Sequence, residues 1–511
     1  MKQDNKRLTI NVVAQIVTFS VQLIISFLLT PFIISKLGTD AYGYIGLTDS
    51  FVMYAQVIVL ALNSMAGRFV TIAYHQGHID EANKLFSSVF FSNVCITLVL
   101  FLISLGCVGW LEYLINIPDR LIVDVKLLFS LMFLNFMVSV SFSTYQLATF
   151  IKDRLELNAI RSVVANVARV AILLICFGLF VPHLWYMGLA AVTCTLYISY
   201  TNICYTKKLT PELKVNIRYF DYSKIKTLIS TGIWNAITKL GNLIGQGLDL
   251  LFANLLISSV AMGYLSITKR IPVIILGLVA SICAAFAPSL TKLYAKKEMK
   301  AFKEELLFSI KFAGFIAIIP SCFIFTIVDC FYDLWIPNQN TQMLYILTIL
   351  GTICNPIAMS LEGVQNVFTI TNKVKVYSYF ALGFNIAMFL TLVIGLKLIP
   401  VDYRIYFLAS VHSFWAFFRV AIFLPIYGAR CIGENRWFFY PNMIRVLFAL
   451  ALSVIIMLII KHFFIMGNWF TLLLGGILVF LVCSLCGGML IFNKDEKLKV
   501  IRKLTVKFKK V

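Results

Sequence analysis

Five polar residues recur at helical spacing inside one apolar stretch: Asn235, Lys239, Asn242, Gln246 and Asp249. Steps of 4, 3, 4 and 3 residues put all five on one face of a helix. Charge inside a membrane span is costly and turns towards a partner or a water-filled cavity. One such amide would be glue between helices. Five in register, two of them charged, predict a wall of an aqueous cavity, and the chemistry is binding rather than bond breaking.

Other apolar stretches carry weaker versions. Gln15, Gln22 and Ser26 stand 220 residues before Asn235, Asn242 and Gln246, with Phe19 and Leu29 at the positions of Lys239 and Asp249. Asp49, Gln56 and Asn63 recur every seven residues, again on one face, and Lys269 and Arg270 lie 220 residues beyond Asp49 and Ser50. This placement predicts a latch in which Asp49 pairs with Lys269 or Arg270, against the alternative of separately solvated side chains. Arg169, Lys311, Glu362 and Arg419 are isolated in-span charges. Arg169, Glu362 and Arg419 are read as cavity or coupling residues, with structural pairing or snorkelling as the alternative. The six basic in-span residues outnumber the acidic ones, Asp49, Asp249 and Glu362, by three, and a cationic cavity suits an anionic headgroup.

Several chemistries lack their residues. No GxxxxGK[ST] loop is present, so no nucleotide is burned by this chain. No HExxH or Cys–His cluster suggests a metal, and the five His are scattered. The 12 Cys lie mostly within apolar runs, so neither structural disulfides nor a cofactor is implied. Cys483 and Cys486 fall inside a span and read as small packing residues.

The elements that must position these residues follow from composition. Of 511 residues, 60% are hydrophobic and 13% charged, about half the charge of a soluble chain. Runs of roughly 20 apolar residues give an all-α polytopic membrane protein with 12–14 transmembrane helices. The first run lacks a small-residue cleavage site and reads as a retained span. The net charge of +21 resolves into orientation: 32 of the 44 Lys and Arg fall in the N-terminus and the segments after even-numbered spans, and 6 in the opposite loops. That bias places both termini in the cytoplasm and removes the case for nucleic acid. The basic tail 493–511 also suits an anionic lipid leaflet.

The chain also repeats itself. AYGYIGLT at 41–48 aligns with AMGYLSIT at 261–268, and the same offset of 220 carries Thr71 and Tyr74 onto Thr291 and Tyr294. Six spans separate the copies, so they share orientation. Two parallel six-helix lobes around a central cavity follow, related by an axis along the membrane normal. The boundaries expected are 1–206 for the N-terminal lobe, 207–226 for a cytoplasmic linker and 227–427 for the C-terminal lobe. An extra C-terminal helix pair occupies 428–492.

The segment TPFIISKLGTDAYGYIGL, the loop RFVTIAYHQGHIDEANKLFSS and the hairpin end APSLTKLYAKKEMKAF resemble polysaccharide flippases of the Wzx (RfbX) type. These belong to the multidrug/oligosaccharidyl-lipid/polysaccharide exporter superfamily. The resemblance implies alternating access and transfer of an undecaprenyl-pyrophosphate-linked glycan across the bacterial cytoplasmic membrane. It implies a polysaccharide polymerase and a chain-length regulator as partners, no catalytic residues, and a lipid-tail groove at the extra helix pair. In this setting the pyrophosphate would meet Lys239, Lys269 and Arg270, and the sugars Asn235, Asn242, Gln246, Gln15 and Gln22. Coupling to an H⁺ or Na⁺ gradient would run through Asp249 or Glu362. The rivals are a multidrug exporter, whose often cationic substrates suit a basic cavity poorly, and a membrane polymerase or glycosyltransferase. The latter usually needs a larger outer loop than any here.

Overall fold

The computed structural model describes Thr18, Ser20, Val21, residues 24–493 apart from Asp153, Ala285 and Asn372, and Glu496. Among these residues the structure is helical and contains no strand. Eleven of the described helices are long and apolar enough to cross a membrane. They are α2 (Thr39–His75), α3 (Ile79–Gly109), α4 (Ile122–Ser141), α5 (Leu155–Leu179), α6 (Tyr186–Leu209), α8 (Ser259–Ala284), α9 (Met299–Thr326), α11 (Val374–Leu398), α12 (Val401–Cys431), α13 (Tyr440–Phe463) and α14 (Trp469–Leu490). Three further elements complete the order. These are α1 (Ile24–Leu37) and α10 (Thr341–Thr352), both short, and α7 (Tyr222–Gln246), which carries the polar stripe. The protein is a multi-pass membrane protein.

The repeat holds in the backbone. α2 begins at Thr39 and α8 at Ser259; α3 begins at Ile79 and α9 at Met299. The turn before α3 is copied bond for bond at the same offset. Gly77 N donates to Tyr74 O, His78 N to Ala73 O and Ile79 N to Gly77 O; Lys297 N donates to Tyr294 O, Glu298 N to Leu293 O and Met299 N to Lys297 O. Both turns need a left-handed residue. The first copy uses Gly77 at φ 79°, and the second forces Lys297 to φ 59°, where a side chain costs about 1–2 kcal/mol.

Two compact units divide the chain after Ser266. In the first, α7 lies along α2 so closely that a Cβ on Gly232 would come within 1.9 Å of Ala61 O. Leu62, Val70, Phe86, Val89 and Leu228 fill the core beside this crossing. Packing therefore assigns α7 to the first unit although its sequence belongs to the second copy of the repeat. Residues equivalent in the repeat also touch here. A Cβ on Gly43 would lie 2.9 Å from Gly263 N, and one on Gly46 2.3 Å from Ser266 Oγ.

In the second unit α9 is the hub, packed against α13, α14 and the short helix Asn355–Ser360. Phe302, Leu306 and Ile310 of α9 meet Val364, Phe368, Leu424 and Phe439 in one buried cluster. Lys311, buried in α9, is explained here: its Nζ donates to both carboxylate oxygens of Glu496, at 2.8 and 3.0 Å. The same carboxylate accepts from Asn493 N at 2.9 Å.

Candidate functional site

The polar stripe changes character along its length. α7 ends at Gln246, and a new helix runs Asp249–Leu256, so the four-three spacing does not carry through to Asp249. Lys239 is exposed, whereas Asp249 is only 4% exposed. Asp249 lies close enough to Tyr54 of α2 to act on it electrostatically, and Tyr54 Oη donates to Gly247 O at 2.6 Å. The side chains of Asn235, Asn242 and Gln246, and the whole of Gln15 and Gln22, lie outside the described residues.

On α2, Asp49 and Gln56 are exposed. Asn63 is half-buried and joins two helices. Its amide pairs reciprocally with that of Asn93 on α3, both bonds at 2.9 Å, and its Nδ2 also reaches Val59 O. Two amides that satisfy one another tie α2 to α3, the glue role that spacing alone did not separate from a cavity role. Lys269 and Arg270 stand half-buried on α8, just before Pro272 inside that helix. Pro272 removes one backbone bond of the helix at that point. Arg169 on α5 lies beside Cys194 of α6.

Within the second unit, Glu362 and Arg419, isolated in sequence, come together. The apolar run 342–370 is broken into α10, Asn355–Ser360 and Val364–Ile370, and Glu362 sits in the second break. Arg419 sits in a π-helical turn, Phe418–Phe423, within α12, and acts electrostatically on both Glu362 and Tyr377. Beside Glu362 opens a cavity of about 310 Å³, lined among others by Cys283, Gln365, Asn366 and Tyr377. Gln365 Nε2 donates to Glu362 Oε2 at 2.8 Å, and Asn366 Nδ2 to Cys283 O at 3.4 Å. Gln365 and Asn366 had no signal in spacing, because a broken helix has no constant period.

A second polar node, in the first unit, also escaped the sequence reading. Asn116, between α3 and α4, and Asn254, in Asp249–Leu256, exchange three bonds. Asn116 N donates to Asn254 Oδ1 at 2.8 Å, Asn116 Nδ2 to Asn254 O at 2.8 Å, and Asn254 Nδ2 to Asn116 O at 2.9 Å. Tyr44, from the repeated AYGY, donates to the same Asn116 carbonyl, and Arg120 pairs with Asp40 at 2.5 Å. The node fastens the start of α2 to the α3–α4 connection and to the helix after α7. Among the described residues no group of three or more metal-ligating side chains occurs.

Comparison with known proteins gives the family. A family model described as polysaccharide biosynthesis protein matches residues 6–294, more than half of the chain. The chain belongs to the polysaccharide biosynthesis protein family. A relative in Bacillus subtilis (strain 168), described as the uncharacterized membrane protein EpsK, is 25% identical over 501 residues. That match covers 97% of this chain and 98% of the relative. Among solved structures, the lipid II flippase MurJ in an inward closed conformation superposes with a TM-score of 0.67 at 15% identity, covering 93% of this chain and 97% of MurJ. An inward-facing multidrug resistance MATE family transporter of the MOP superfamily gives 0.62 at 12% identity, covering 84% and 97%. This member of the family thus has the fold of flippases and transporters of that superfamily.

Proposed function

We propose that the protein is a flippase that carries an undecaprenyl-pyrophosphate-linked glycan unit across the bacterial cytoplasmic membrane, by alternating access, for surface polysaccharide synthesis. The observation that carries this reading is the family match together with the excess of basic over acidic side chains inside the spans. Lys239 of the first unit and Lys269 and Arg270 of the second are the cations offered to the pyrophosphate, since charge-assisted bonds to phosphate are strong. The lipid tail stays in the bilayer. Both termini lie in the cytoplasm, following the bias of Lys and Arg among the loops. An ion gradient drives the cycle through Asp249 or Glu362, and a polymerase of the same pathway receives the product.

The test is deletion of the protein followed by measurement of which leaflet holds the lipid-linked glycan. Accumulation on the cytoplasmic leaflet is expected; an unchanged distribution rejects the reading. Lys239→Ala is expected to slow transport while the protein still inserts, and unchanged transport removes Lys239 from the site. The fold likeness to a multidrug transporter supports a second reading, export of small molecules. Efflux of a cationic dye that is lost on deletion would favour it.

A further inference from the structure

We propose that the cavity beside Glu362 is a saccharide subsite, which seats one uncharged sugar ring against Glu362, Gln365, Asn366 and Tyr377. It rests on the reading that the cargo is a glycan, and it names the part of the cargo that the second unit recognises.

Two interruptions of regular backbone line this cavity: α8 reaches only Ala284, one residue past Cys283, and the apolar run 342–370 breaks at residues 361–363. The π-helical turn of α12 places Arg419 near enough to act on Glu362 and Tyr377. Broken helices at membrane depth are tolerated where they line a cavity, and π-turns gather at functional sites. The lining then selects the ligand. A carboxylate has roughly four acceptor sites, and Gln365 fills one of them. Vicinal hydroxyls suit the others, with the amides of Gln365 and Asn366 offering both donor and acceptor atoms. Tyr377, half-buried and backed by Phe368 with ring centroids 4.9 Å apart, adds apolar surface for the C–H face of a ring.

Competing ligands fit less well. A phosphate group would meet the Glu362 carboxylate. A lipid tail would offer nothing to the acceptor sites of Glu362 that Gln365 leaves open. A metal cation would meet a lining with a single carboxylate, in the field of the nearby Arg419. The volume, about 310 Å³, lies at the small end of ligand pockets, roughly 300–1,000 Å³, and so takes one ring of a glycan and not the whole unit.

Saturation-transfer NMR on the detergent-purified full chain tests this. The probes are free glucose, galactose, N-acetylglucosamine and N-acetylgalactosamine at millimolar concentration, with tetraphenylphosphonium as a cationic comparator. At least one sugar is expected to bind, and Gln365→Ala and Glu362→Gln are each expected to weaken it roughly ten-fold. Thermal unfolding of Gln365→Ala should match the parent, which separates lost contact from lost fold. Binding of no sugar, equal sugar binding in parent and both variants, or tetraphenylphosphonium binding that depends on Glu362 would each overturn the proposal. Failure of the glycan-transport reading looks different: the leaflet distribution stays unchanged on deletion although a sugar binds at Glu362.

Discussion

At the scale of single residues, charges inside the spans divide by what they touch. Lys311 was one more isolated cation in the sequence. In the fold its ammonium is held by both oxygens of Glu496. Breaking a buried pair from one side leaves an uncompensated charge, which costs about 3–5 kcal/mol. Glu496→Gln is therefore expected to lower thermal stability, and Lys311→Met in the same protein should recover most of the loss. Glu434 shows the opposite setting, outside the spans. A hydrogen bond from Lys303 holds its carboxyl below the usual carboxylate range. Its folded pKa lies below its unfolded one, so its contribution is complete above the unfolded value and fades as pH falls through the folded value. Glu434→Gln should melt below the parent at neutral pH, and the gap should close on acidification.

Elements carry the closest contacts, and glycine sets them. Gly232 lets α7 meet α2 backbone to backbone. Gly232→Leu would drive a side chain into the carbonyl of Ala61 and is expected to reduce the yield of folded protein sharply. Gly106→Leu, with nothing within 4 Å of the new Cβ, should be tolerated, and size-exclusion profiles of the two variants decide it. The duplicated turn gives a prediction with a sign. Lys297→Gly relieves a left-handed side chain and should stabilise by about 0.5–1 kcal/mol, whereas Gly77→Lys should cost about the same. Denaturant unfolding of both variants checks the pair.

For the whole molecule, sequence and structure agree wherever period carries the information. Apolar runs located the spans, and the offset of 220 found in Gly43, Tyr44 and Thr48 proved to govern where α2, α3, α8 and α9 begin. Period fails where helices break. The stripe from Asn235 reads as one face through Asp249, yet the helix stops at Gln246 and Asp249 turns into the packing against α2. Glu362 and Arg419 looked unrelated because 56 residues and two further helices lie between them, and only packing brings them together. The amides of Asn63 and Asn93 were visible as residues, but pairing is a property of two helices. Family membership and fold add one expectation at this scale: loss of the protein should stall surface polysaccharide while leaving synthesis of the lipid-linked precursor intact, measurable by labelling both pools.

The turn at Lys297 has a bearing on ancestry. Its hydrogen bonds match those at Gly77 one for one, although the residue that makes the shape inexpensive is present in only one copy. Backbone geometry has outlasted side-chain identity between the two copies. Kinship among such duplicated carriers is then better traced by where the chain turns left-handed than by which letters it shares.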